Sequence, residues 1–140
     1  MKLNKMTVTN KWNQFYMTIA KQFASMSKDP RLKVGAVIVA PEGILYPGYN
    51  GDEIGGSNKP DSLNPGSSGF VHAEANCILK FNPSIHKGST MYISHSPCVV
   101  CARMIVNTKA ILKVFYGEEY RESKGIDILS NSGIICERVN

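Results

Sequence analysis

The sequence predicts an α/β domain with a three-layer α/β/α architecture, in which helices cover both faces of a mixed sheet of about five strands. Two observations carry this. Runs rich in β-branched and aromatic residues stand at 34–40, 89–94 and 111–117, and helix-type segments separate them. The first run is followed by a "PEG" turn and a second extended run, which makes a hairpin. A helix precedes the hairpin and helix–strand pairs follow it, giving the order α-β-β-α-β-α-β-α-β.

Residues 10–27 read as the first helix, because Trp12, Phe15, Tyr16, Ile19, Ala20 and Phe23 follow the i, i+3, i+4, i+7 rule. Asn10 is its candidate cap, and "SKDP" ends it with Pro30 as breaker. Residues 1–9 precede it as a flexible N-terminus. "VGAVIVA" (34–40) reads as a buried strand and "ILYPGYN" (44–50) as its hairpin partner. Residues 51–69 hold Gly, Ser, Pro and Asn with little apolar material, so they form a long loop, a kind often used for binding. A helix follows over 72–81, then the strand "STMYIS" (89–94). "PCVVCARMIVNT" (97–108) is a helix with Pro97 in its first turn, where proline is tolerated. "ILKVFYG" (111–117) is a strand, "SKGIDILSNSG" (123–133) a short helix closed by glycine, and "IICERV" (134–139) the last strand.

The chain has 140 residues, 43% apolar and 19% charged, which fits one globular domain over 1–140. Its basic N-terminus is not followed by an apolar run, so neither a signal peptide nor a membrane span is expected, and the expected location is cytoplasmic. The net charge of +5 comes from dispersed residues, not a run. That pattern suits a solvated surface better than a nucleic-acid patch.

Four cysteines occur, and Cys98 and Cys101 form a C-x-x-C pair at a helix start, next to Pro97. His72 and Glu74 sit at another helix start, after the glycine-rich loop. Helix N-termini favour anions, so both sulfurs can be held as thiolates. One imidazole and two thiolates supply three corners of a zinc tetrahedron and leave the fourth for water, the catalytic arrangement. Residues two apart diverge in mid-helix, but in a first turn they can reach past the helix end. His72 would then ligate the metal while Glu74 reaches the water and moves its proton.

"HAE" followed by "PCVVC" matches the H-x-E…P-C-x-x-C signature of the zinc nucleobase deaminases, whose glutamate serves as general acid and base. "SKDPRLKVGAVIV", "GYNG", "VHAEANCIL", "MYISHSPCVVCARMI" and "VFYGEEY" resemble successive blocks of the deoxycytidylate deaminase family, from Trp12 to the C-terminus. The resemblance implies a cytidine-deaminase-like fold, a homo-oligomer, one catalytic zinc per chain, and hydrolysis of dCMP to dUMP and ammonia, supplying dUMP for thymidylate synthesis. It implies further roles by position. Asn50 would hold the sugar hydroxyl, and the N–H of Ala73 the pyrimidine carbonyl. Glu74 would protonate N3, the Ser96 carbonyl would accept from the departing amine, and Tyr120 would pack near the nucleotide. Arg31 and Lys33 are the phosphate candidates. The span between "GYNG" and the HAE helix holds no Cys or His, so a second zinc is not expected. Asp52 and Glu53 follow "GYNG", where two acids would repel a regulatory triphosphate such as dCTP or dTTP.

Simpler roles stand beside these. His95 could close the metal site as a fourth ligand, or line the pocket. His86 reads as a surface residue, and Cys77 and Cys136 as small buried apolar groups. A redox role for the C-x-x-C pair would leave "HAE" unexplained. The other readings are a tRNA adenosine deaminase, which needs contacts to a long anionic strand, and a zinc module without catalysis, which needs four protein ligands and no Glu74.

Overall fold

The computed structural model describes residues 2–120 and 122–139, with side chains from Lys11 onward. Helix α1 (Lys2–Ala24) precedes a five-stranded sheet of order β2-β1-β3-β4-β5. β1 (Gly35–Val39) pairs antiparallel with β2 (Leu45–Tyr49) and with β3 (Ser89–His95). β3 pairs parallel with β4 (Ile111–Glu118), and β4 with β5 (Ile135–Arg138). Helix α2 (Ala73–Lys80) lies between β2 and β3, α3 (Val99–Thr108) between β3 and β4, and α4 (Lys124–Asn131) between β4 and β5. The sheet is therefore mixed, as expected, and from β1 onward each element lies within a few residues of its predicted place.

Alternation along the strands divides the core. Ala36, Ile38, Met91, Ile93 and Val114 face α2, α3 and α4 through Ala73, Cys77, Ala102, Ile105 and Leu129. Val37, Tyr92 and Phe115 point the other way, onto Met17 and Ala20 of α1. Burying each large apolar side chain contributes about 1.5–3 kcal/mol. Both faces are covered, with three helices on one and α1 on the other.

The antiparallel start of the sheet brings distant segments together. Gly35 pairs with Tyr49, and His95 with Glu118. The entry to β1, the exit from β2 and the exits from β3 and β4 therefore share one end of the sheet. Ligand sites in α/β sheets favour the carboxyl ends of strands. Two glycines allow the helices to approach that end closely. A Cβ on Gly48 would lie 2.5 Å from the Ala73 carbonyl oxygen, and one on Gly125 would lie 2.0 Å from that of Pro97.

Four expectations are corrected. α1 begins at Lys2 and ends at Ala24, so Asn10 lies inside the helix and does not cap it; the side chains of residues 1–10 lie outside the described ones. The aromatic stripe does not define the buried face, since Trp12 and Phe15 are 63% and 53% exposed. The close approach of α1 to Gly35 runs along Ala20 and Ala24, so small residues set the contact line. Trp12 and Phe15 pack on each other and on Tyr16, and of the three it is Tyr16 that reaches the core, with its ring 5.3 Å from that of Tyr92. His86 is buried, with Nδ1 2.8 Å from Glu42 and its ring stacked on Phe81. Pro97 stands one residue before the α3 cap, not in its first turn.

Candidate metal centre and active site

His72 caps α2 with extended backbone, φ −72° and ψ 155°. Its side chain projects past the helix end, and Glu74 occupies the second position of the helix. Cys98 caps α3 in the same way, with φ −72° and ψ 172°, and its sulfur accepts the Cys101 N–H at 3.5 Å. The first turn of a helix leaves N–H groups without intrahelical acceptors, and a cap sulfur meets one of them. Both helix starts point at one spot. His72 Nδ1 lies 3.5 Å from Cys98 Sγ and 3.3 Å from Cys101 Sγ.

The three donor atoms all lie within 4.8 Å of one another. A zinc bonded to sulfur at about 2.3 Å and nitrogen at about 2.0 Å, at tetrahedral angles, would set S···N edges near about 3.6 Å. The observed edges are close to that. One ring nitrogen has a single hydrogen or lone pair and cannot serve two sulfurs at once, whereas a cation among the three satisfies all of them. The residues fit zinc. His95 is not in this cluster; it lines the adjoining cavity, with Nδ1 3.1 Å from Ser94 Oγ.

The electrostatics are those of a crowded anionic site. A hydrogen bond from Cys101, with His72 alongside, lowers the Cys98 thiol to about 4 against the effect of burial. That same bond, with burial, pushes Cys101 up, a direction that a bound cation reverses. The hydrogen bond to Cys98 raises His72 against burial. Burial raises the carboxyl of Glu74, only 4% exposed, to about 7.

The cluster opens on a cavity of about 290 Å³. His72, Glu74 and Cys98 line it, as do Asn50, Ala73, Ser96, Tyr120 and Arg31. Ala73 is the first residue of α2, where a helix N–H has no intrahelical acceptor. The Ser96 N–H donates to the Glu118 carbonyl at 2.8 Å, and its hydroxyl accepts the Tyr120 N–H at 2.7 Å, so the exits of β3 and β4 are tied together. Arg31 Nη2 donates to the Tyr120 hydroxyl at 3.1 Å. Asn50 is buried, its amide bonded within the wall. Lys33 is exposed and does not line the cavity. From the long loop, Gly66 and Ser68 reach the cavity, and the loop base is closed by the paired Gly51 and Val71. Sequence reasoning missed Asp29, a buried carboxylate in the wall. Its signal lay in "SKDP", where the acid before proline reads only as a helix stop.

Residues 10–118 match the family model described as the cytidine and deoxycytidylate deaminase zinc-binding region. The chain is 35% identical to the human deoxycytidylate deaminase over 125 residues, covering 80% of this chain and 68% of that one. It is 33% identical to the deoxycytidylate deaminase of Mycobacterium phage D29 over 123 residues, covering 77% and 95%. Its fold superposes with a TM-score of 0.81 on the crystal structure of dCMP deaminase from the cyanophage S-TIM5 in complex with dCMP and dUMP. That match is 34% identical and covers 92% of this chain and 97% of the other.

Proposed function

The chain belongs to the cytidine and deoxycytidylate deaminase family, and from that premise we propose that it hydrolyses dCMP to dUMP and ammonia with one zinc per chain. The observation that carries the reading is the meeting of His72, Cys98 and Cys101 donors at the wall of a cavity that also receives the buried Glu74. Relatives named deoxycytidylate deaminase, and a similar structure holding dCMP and dUMP, support the choice of substrate.

His72 Nδ1 and the two sulfurs would hold the metal. The chemistry zinc supplies when bound is Lewis acidity, which brings the pKa of water to about 7. Glu74 takes a proton from the attacking water and delivers it to N3 as the C4–O bond forms. A second proton passes to the exocyclic amine, the C4–N bond breaks, and ammonia leaves. A carboxyl poised near neutrality suits this two-way traffic. The Ala73 N–H receives the pyrimidine carbonyl, and the Ser96 carbonyl accepts from the departing amine. Asn50 accepts from the sugar hydroxyl. Arg31 meets the phosphate with its planar fork, and Tyr120 packs beside it. Lys33 drops out of this reading, since it is exposed and lies outside the cavity lining. The reading includes a homo-oligomer, which light scattering would measure, and a cytoplasmic reaction.

Zinc analysis and an ammonia-release assay on dCMP, CMP, dCTP, cytidine, cytosine and a tRNA test it. One zinc per chain and turnover of dCMP above the others is expected. Bound zinc without deamination of any mononucleotide would overturn it.

A further inference from the structure

Two surface features lie outside the proposed chemistry, one on α1 and one on the long loop, and they match each other. On α1, Trp12 and Phe15 are 63% and 53% exposed, and with Lys11, Gln14 and Thr18 they line a groove of about 450 Å³. Over Lys2–Ala24 this helix carries four lysines and no acid. In the loop, residues 53–56 form a tight turn. The Gly56 N–H donates to the Glu53 carbonyl at 2.9 Å, and Gly55 takes φ +86° in the third place, as a type II turn requires. Beneath the turn, Asp52 Oδ2 accepts the Asn58 N–H at 2.9 Å, and Asn58 Oδ1 accepts the Asp52 N–H at 3.4 Å. A turn tied this way holds Ile54 at its tip, fully exposed, beside the exposed Glu53. Lys59 is the single base in residues 51–63, against Asp52, Glu53 and Asp61.

We propose that the Ile54 turn of one copy docks in the α1 groove of a second copy, with Ile54 against Trp12 and Phe15 and Glu53 against Lys11. The inference rests on the homo-oligomer of the proposed reading and names one of its contacts. An apolar tip meets an aromatic floor, and an acidic loop meets a basic helix, so shape chemistry and charge agree. A second α1 is the poorer occupant, because four lysines would face four. Turn and groove do not meet within one chain. Ala20 and Ala24 approach Gly35 at the site end of the sheet, whereas Asn13 accepts the Tyr92 hydroxyl farther along it. Phe15, nine residues before Ala24, lies about 14 Å from it along the helix. The loop leaves β2 at the site end, where Gly51 pairs with Val71. Groove and turn therefore stand at opposite ends of the molecule, and the contact is heterologous, joining copies head to tail.

Trp12 is the chain's only tryptophan, so its fluorescence reports on the groove without a label. The test follows mass by light scattering, and Trp12 emission, for the zinc-loaded chain across a dilution series. In the wild type the emission is expected to move from blue to red as the assembly comes apart. Ile54→Asp should weaken association by at least about tenfold and hold the emission red. Lys11→Glu and Glu53→Lys should each weaken it by about three- to tenfold, and the double variant should recover wild-type association. All three side chains are exposed, so these substitutions leave the core as it is. An oligomer whose mass and emission Ile54→Asp does not move overturns the inference and leaves the homo-oligomer standing. A double charge reversal no better than its single variants does the same. A monomer at every concentration overturns both. Turnover of dCMP in the same samples tests the chemistry separately.

Discussion

Glu74 stands two positions from His72, yet both reach one cavity. The residue that makes this possible is His72 itself, which caps the helix in extended backbone and does not join it. Its ring turns out past the helix end while Glu74 turns in. Replacing Glu74 by Gln removes the proton carrier and leaves the three metal donors untouched. Turnover of dCMP should fall by about 10²–10⁴-fold with zinc content unchanged. Zinc lost from that variant would make Glu74 a ligand, and retained turnover would remove it from the reaction. Arg31 is separable in the same way. Arg31→Ala should raise KM for dCMP by about ten- to a hundredfold, as loss of a charge-assisted hydrogen bond does. Deoxycytidine, which has no phosphate, should be affected far less. Equal losses on both would assign Arg31 to holding Tyr120 in place.

At the scale of elements, the fit of the helices to the sheet governs the site. Gly48 lets the start of α2 settle onto β2, since any Cβ there meets the Ala73 carbonyl and the Cys77 N–H within 3 Å. Gly48→Val should cost about 1–3 kcal/mol by overpacking and displace His72 and Glu74 together. Loss of zinc affinity alongside a lower Tm is the expected result, and a lower Tm with normal zinc binding would count against it. Gly43 is the control. It sits at φ +93° in the hairpin turn, where an added Cβ would meet nothing within 4 Å, so Gly43→Ala strains only the turn. Much of this frame was legible in the sequence. The strands announced themselves by β-branched runs, and the metal donors by residue types that zinc requires, at two helix starts. What was not legible depended on pairing across space. The buried face of α1 follows Ala20 and Ala24 because Gly35 lies opposite, which no periodicity within the helix reveals. His86 looked like a surface histidine because its partners, Glu42 and Tyr46, are about forty residues away. Asp29 hid inside a helix-stop signal for the same reason.

For the molecule as a whole, the question is how far the fold depends on the metal. Among the described residues neither apolar cluster contains a metal donor, and the larger one meets the metal turns through Ala73, next to His72, and Ala102, next to Cys101. The domain also has a continuous five-stranded sheet with helices on both faces. Such a chain should stay folded when zinc is removed, unlike small modules that fold only around a metal. The metal should still stabilise it, because a ligand that binds only the native state adds about 2.7 kcal/mol at a hundredfold excess over its Kd. Chelation should therefore lower Tm while the far-ultraviolet circular dichroism at 25 °C stays native, and added zinc should restore Tm. Cys101→Ser should show the lower Tm with or without chelator, since its third donor is gone. If chelation instead unfolds the wild type at 25 °C, the cluster is holding the fold together, and the case for a metal kept open for chemistry loses its basis.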